Sequence, residues 1–291
     1  MLLVTFSTDG PPRLGVQRES DIVDVAALSP DAPTSLWDVV RGDAADAVTA
    51  LLSGPIPESA LHPIDAVRLH APLRPGKIVG VGLNYTEHVT ESARALDTAQ
   101  ELPQKPVLFC KPSTAVIGPG EAIEHNAALT SQLDWECELA VVIGRTAKRV
   151  TPERALDHVF GYSIVNDISA RDQRRAGLWF YSKGQDTFAP FGPAIRTADE
   201  IPDPHALDLS LRVNGEVRQK SSTRYMLFRI PELIADISAG ITLEPGDVIA
   251  TGTPSGVGAG MSPQQWLWPG DVVEATVQHI GTLRNPVVDV R

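Results

Sequence analysis

The sequence predicts an α+β fold rich in strand, on three observations. Glycine and proline, 23 and 24 of 291 residues, exceed a usual combined share of roughly 12% and point to many turns and irregular connections. From Lys77 onward, short apolar segments of strand type dominate the chain. The pair Asn214-Gly215 divides two of them, residues 207–214 and 216–219, as a tight hairpin turn does.

Taken in order, residues 2–6, 14–17 and 21–25 read as strands broken by Asp9-Gly10-Pro11-Pro12, and residues 36–40 and 44–52 as helices. Proline-rich joints follow at Pro55, Pro57 and Pro63 and at Ala71-Pro72-Leu73-Arg74-Pro75-Gly76. The boundary falls there: a small N-terminal α/β domain, 1–71, with no chemistry of its own, and a main domain, 72–291. Residues 230–238 have helical spacing, with Pro231 in the first turn and Gly240 just past the end. Pro245-Gly246-Asp247-Val248 and Pro269-Gly270-Asp271-Val272 repeat one turn-then-strand phrase.

A net charge of −11 argues against a nucleic-acid partner, which would want a basic patch. It does not repel a small anion, because a bound cation and local Lys or Arg dominate the field at a site. Cys110 and Cys137 are too few for a disulfide framework, and both are expected to be buried and unreactive. The start, Met1-Leu2-Leu3-Val4-Thr5-Phe6, reads as a first strand and not as a signal peptide. No segment approaches the ~20 apolar residues of a membrane span, so a cytoplasmic setting with no membrane partner is expected.

Two stretches concentrate the chemistry. Asp134-Trp135-Glu136-Cys137-Glu138 leads into the apolar run 139–143. Side chains at i and i+2 of a strand share a side, so Glu136 and Glu138 aim at one point and Cys137 faces away into the core. Asp167, in Asn166-Asp167-Ile168-Ser169-Ala170-Arg171-Asp172, adds a third carboxylate. Three oxygen ligands without a His or Cys cluster suit Mg²⁺ or Mn²⁺ and fit Zn²⁺ poorly, although Glu-x-Glu is also common on solvent-facing strands. His88 and Glu91, three apart on a short helix after the strand 78–80, share a face. A carboxylate on one imidazole nitrogen fixes the tautomer and leaves the other as a base; on an exposed helix the same pair would be only a surface contact.

With Phe109-Cys110-Lys111-Pro112-Ser113, the run Tyr181 to Phe188 that holds Lys183-Gly184-Gln185-Asp186-Thr187-Phe188, and Thr251-Gly252-Thr253-Pro254-Ser255-Gly256-Val257-Gly258, these blocks stand in one order over about residues 72 to 285. Together they resemble the fumarylacetoacetate hydrolase family. The resemblance implies a mixed β-sandwich or β-roll catalytic domain over 72–291, Glu136, Glu138 and Asp167 as ligands of Mg²⁺ or Mn²⁺, and a homodimer. It implies that His88 and Glu91 activate a water, under a helix that could act as a lid between Gly82 and the polar Ser92 and Thr98. Lys111 and Lys183 would offset charge on an enolate or bind the 2-oxo acid, and Thr253 would contact the substrate carboxylate. Asp186 would brace the site, and Arg171 with Asp172 would form an ion pair behind the ligands.

The function so implied is metal-dependent hydrolysis of a C–C bond in a 2,4-dioxo acid, an acylpyruvate or fumarylpyruvate-like compound. The alternatives keep the same site: oxaloacetate decarboxylation, or an isomerase or hydratase reaction of the 2-hydroxyhepta-2,4-diene-1,7-dioate type. A metal-binding protein without turnover is a further alternative, disfavoured because every catalytic group is kept. Three places depart from the family pattern: Gln173-Arg174 where the family has a residue and then glutamine, Tyr225-Met226-Leu227-Phe228-Arg229 before the late helix, and Glu87 beside His88. Arg174 either pairs with an acid such as Asp172 or meets a second carboxylate on the substrate.

Overall fold

The computed structural model describes residues 1–42, 44–95 and 101–290. Among them a 12-stranded sheet runs, edge to edge, through Leu61–Pro63, Asp21–Asp24, Arg13–Arg18, Leu2–Ser7, Ala189–Thr197, Val159–Asn166, Cys137–Ile143, Val248–Ala250, Ile78–Gly82 and Val107–Lys111. Arg68–His70 pairs with the first strand of the chain and Val116–Ile117 with Ala189–Thr197. A five-stranded sheet lies apart from it, in the order Glu216–Ser222, Asp208–Val213, Val272–Val277, Gly281–Asp289 and Ile123–His125. The strand-rich α+β prediction holds. The N-terminal residues are built onto the large sheet, because Leu2 and Leu3 pair with Arg196 and Ile195.

Cys137–Ile143 is buried on both faces, which explains its unbroken apolar run. Leu139, Val141 and Ile143 pack with Leu209, Leu211, Val273 and Ala275 of the five-stranded sheet and with Leu233 and Ile237 of the helix Ile230–Gly240. Ala140 and Val142 pack on the other side with Leu3, Leu14, Val39 and Val48. Cys137 belongs to the first set, so Glu138 projects from the opposite face, as the strand period requires.

The hairpin turns at Asn214 and Gly215 with φ of 53° and 80°, the left-handed pair that an Asn-Gly turn supplies. Cys110 differs from expectation: it is exposed. It lies on the edge strand Val107–Lys111, where alternation buries Lys111 and leaves Cys110 outward. No helix of the described residues is long and apolar enough to cross a membrane.

Candidate active site

The ladder between Cys137–Ile143 and Val159–Asn166 pairs Cys137 with Asn166 and continues one rung past its end. The Asp167 amide donates to the Glu136 carbonyl at 2.8 Å, and the Asn166 side-chain oxygen accepts from the Glu136 amide at 3.0 Å. Backbone pairing thus sets Asp167 beside Glu136, and the two-residue spacing brings Glu138 to the same point. Ligand atoms of Glu136, Glu138 and Asp167 lie within 4.8 Å of one another, and all three residues are buried.

Cations crowd this cluster. The Lys183 ammonium donates to Glu136 Oε2 at 2.7 Å, Asp167 Oδ2 at 2.6 Å and Ser169 Oγ at 2.8 Å. Lys111, fully enclosed, donates to Asp167 Oδ1, the Ile168 carbonyl and the Lys183 carbonyl. An ammonium has three N–H donors, so both lysines are committed to the protein. Lys111 stands behind Asp167 and does not line the cleft. In this arrangement both lysines hold the carboxylates, and Lys183 also lines the cleft.

Arg171 does not pair with Asp172. Its Nε donates to Asp134 at 2.8 Å and its Nη2 to Glu136 Oε1 at 2.6 Å. The two-stranded pairing of Leu133–Asp134 with Ser169–Ala170 brings Arg171 beside Asp134, while Asp172 accepts from Thr130 Oγ1 at 2.5 Å and from the Ser131 amide at 3.0 Å. Asp186, expected to brace the site, is exposed. Asp134 braces it instead, also accepting the Gly258 and Ala259 amides at 2.6 and 3.1 Å. The sequence contained Asp134 in its motif but no sign that Arg171 and two distant amides would converge on it.

Four buried carboxylates (Asp134, Glu136, Glu138, Asp167) therefore face three buried cations (Lys111, Arg171, Lys183). Burial opposes ionisation of Glu136, yet Lys183 and Arg171 hold its carboxyl well below the usual range. Glu138 accepts from the Gly252 amide at 2.8 Å and from no cation among the described residues. Burial, then Asp167 and Glu136, push its carboxyl well above the usual range. Four carboxyl groups against three cations leave Glu138 short of a counter-charge, and a site of oxygen donors alone with that shortfall fits a divalent cation of the Mg²⁺ or Mn²⁺ kind.

His88 sits on the helix Thr86–Ala95 with its Nδ1 3.1 Å from Glu91 Oε2. The other Glu91 oxygen accepts the Gly256 amide at 2.9 Å, and Glu87 accepts from Ser255 Oγ at 3.2 Å. Two carboxylates one turn apart thus hold this helix against the loop 252–258. Asn84 fixes its root, bonding the Phe228 amide and the Phe228 and Thr251 carbonyls. Thr98, on the far side of the expected lid, lies outside the described residues.

Thr253 lines the cleft, its hydroxyl donating to the Cys137 carbonyl at 3.0 Å and accepting from Gln219 Nε2 at 2.8 Å. Gln219, 82 residues along the chain from Cys137, had no sequence signal; its side-chain oxygen also accepts the Cys137 amide. Gly252 before Thr253 has φ of 98°, and a Cβ there would lie 2.7 Å from that of Asn84, so only glycine fits. Arg174 lines the cleft beside Val81, Gly82, Leu83, His88, Glu136 and Glu138. Of the expected site residues Lys183 and Thr253 also line it, while Glu91, Lys111 and Asp167 stand behind the wall, bonded to His88, Asp167 and Lys183 respectively. The enclosed space is about 30 Å³, room for an ion or a water or two, so a substrate needs the walls to part.

This geometry belongs to a known class. Residues 77–288 match the model of the fumarylacetoacetate (FAA) hydrolase C-terminal family. The chain belongs to that family. It is 46% identical over 232 residues to the oxaloacetate tautomerase YisK of Bacillus subtilis (strain 168), covering 79% of this chain and 76% of that one. It is 38% identical to the mitochondrial oxaloacetate tautomerase fahd2 of Xenopus laevis, covering 99% and 90%. The maleylpyruvate hydrolase of Sphingobium sp. SYK-6, solved with manganese(II) and pyruvate, superposes with a TM-score of 0.82 at 33% identity over all of both chains.

Proposed function

We propose that this protein is a divalent-metal-dependent enzyme that makes and protonates the enol of a 2-oxo acid, and that its reaction is keto–enol tautomerisation of oxaloacetate. The observation that carries this reading is His88, held from behind by Glu91, on the wall of the same cleft as Glu136 and Glu138, with Asp167 beside them. Tautomerisation needs one proton moved between carbon and oxygen, and one oriented imidazole can do that. The two tautomerase relatives add support for oxaloacetate over the acylpyruvates that the sequence alone ranks first.

Glu136, Glu138 and Asp167 would hold Mg²⁺ or Mn²⁺. When bound, the cation supplies Lewis-acid polarisation of the 2-oxo group. His88, oriented by Glu91, would take a proton from C3 and deliver one to the C2 oxygen, and do the reverse when the enol ketonises. Lys183 and Arg171 hold the carboxylates in place.

Hydrolysis of a C–C bond in an acylpyruvate is the second reading, supported by the maleylpyruvate hydrolase neighbour. There His88 would take its proton from a water. The two are separated by supplying enol oxaloacetate, and then an acylpyruvate or fumarylpyruvate, to the Mg²⁺- and Mn²⁺-loaded protein. Ketonisation of oxaloacetate well above the metal-only rate, with little cleavage of the others, supports the first reading. Cleavage of acylpyruvates with no effect on ketonisation overturns it.

A further inference from the structure

Of the cationic side chains lining the cleft, Lys183 and Arg171 are committed to carboxylates and His88 is held by Glu91. Arg174 is different. Among the described residues its Nε is buried with no hydrogen-bond partner and no acid pairs with it, since Asp172 is turned to Thr130 and Ser131. Leaving a buried guanidinium donor unmade costs free energy that a ligand can recover. Burial, then the Arg171 charge, work against the charged form of Arg174, which an incoming anion would offset.

The residue is also held in a set place. Its guanidinium carbon lies 5.5 Å from the centre of the Trp179 ring, and that ring meets Phe109 edge-on at 5.6 Å. Trp179 can press onto the strand Ile78–Gly82 only because residue 82 has no side chain: a Cβ there would lie 2.1 Å from the ring. Gly80 makes the same room for Phe109. The result is an aromatic shelf on which a cation sits at the cleft wall with open donors.

We propose that Arg174 is the specificity-determining residue of this cleft, its guanidinium taking a second carboxylate at the far end of a 2-oxo diacid whose head group faces Glu136 and Glu138. A guanidinium pairs with a carboxylate through two parallel N–H bonds, which a glutamine or lysine cannot reproduce. The inference rests on the proposed function for the placing of the head group only.

The test is binding, not turnover. Malate and 2-hydroxybutanoate are unreactive four-carbon acids with the same chelating head, differing in a terminal carboxylate against a methyl group. Calorimetry on the Mn²⁺-loaded wild type should show malate bound at least about tenfold more tightly. Arg174→Gln should abolish that preference and leave 2-hydroxybutanoate within about twofold, with Arg174→Lys in between and Trp179→Leu weakening malate selectively. Equal weakening of both acids by Arg174→Gln, or no preference in the wild type, overturns the assignment. A preference lost in the variant by a protein that fails to tautomerise oxaloacetate sustains the subsite and rejects the reaction. A wild type that binds neither acid rejects both.

Discussion

His88 Nδ1 lies 3.1 Å from Glu91 Oε2, and the other oxygen of the same carboxylate accepts the Gly256 amide at 2.9 Å. One acid thus fixes the imidazole and ties its helix to the loop that carries Thr253. The base and the closure of the cleft depend on the same side chain.

His88→Ala should therefore lower kcat by about 10²–10⁴-fold, the range of a lost general base. Glu91→Gln should lose less, because an amide oxygen can still orient the ring. Steady-state kinetics check this, and unchanged kcat in His88→Ala would show that another group moves the proton.

Gly260 packs against Glu91 so closely that a Cβ would fall 2.2 Å from the carboxyl carbon. The clash is with the end of a flexible side chain, so Gly260→Ala should fold with a loss under about 1 kcal/mol. Displacing Glu91 should nonetheless cut kcat about tenfold or more. Full activity at unchanged stability would mean that the Glu91 contact does not set the base.

Glu138 is buried with no cationic partner among the described residues, which makes its replacement informative. In metal-free protein Glu138→Gln should leave Tm unchanged or raise it, since burial and the neighbouring carboxylates already favour the neutral form of this group and an amide oxygen can still accept the Gly252 N–H. In wild type, metal at a hundred times its Kd should stabilise by about 2.7 kcal/mol, and the variant should lose that increment. Thermal melts with and without Mn²⁺ measure both, and an undiminished metal shift in the variant would exclude Glu138 as a ligand.

His205 predicts a pH effect on stability remote from the cleft. Its Nε2 accepts the Ile230 amide at 3.1 Å, at the start of the helix Ile230–Gly240, so the ring must be neutral there. Burial, then Arg229, lower its pKa from 6.5, against a smaller opposing pull from Asp203. Below about 6.5 the unfolded chain binds more protons at this ring than the folded one. Its contribution is full above that pH and is lost as pH falls through it. The Tm advantage of wild type over His205→Gln should shrink between pH 7.5 and 5.5; a constant difference would rule out titration of this ring.

The parts of the site legible in the sequence are those written in local geometry. The i, i+2 spacing put Glu136 and Glu138 on one face with Cys137 opposite, and the i, i+3 spacing put Glu91 on His88. The strand, hairpin and late-helix assignments rested on equally local signals. What was not legible depends on partners distant in sequence. Lys183 bonds Glu136, 47 residues away, and Arg171 turns to Asp134, 37 residues away, instead of its neighbour Asp172. Gln219 reaches Cys137 and Thr253 from the hairpin, and Cys110 is exposed because its strand ends a sheet. Sheet order decides each of these, and one sequence does not declare it.

On the proposed function the three carboxylates, a bound divalent cation and His88 together make and quench an enol, whichever reaction follows. Proton NMR in deuterium oxide tests it with 2-oxobutanoate, whose C3 hydrogens can be followed one site at a time. Wild type with Mg²⁺ should wash out the C3 signal well above the rate of buffer and metal alone. His88→Ala should not, and neither should metal-stripped wild type. Exchange at the background rate by Mg²⁺-loaded wild type with 2-oxobutanoate bound would contradict the account.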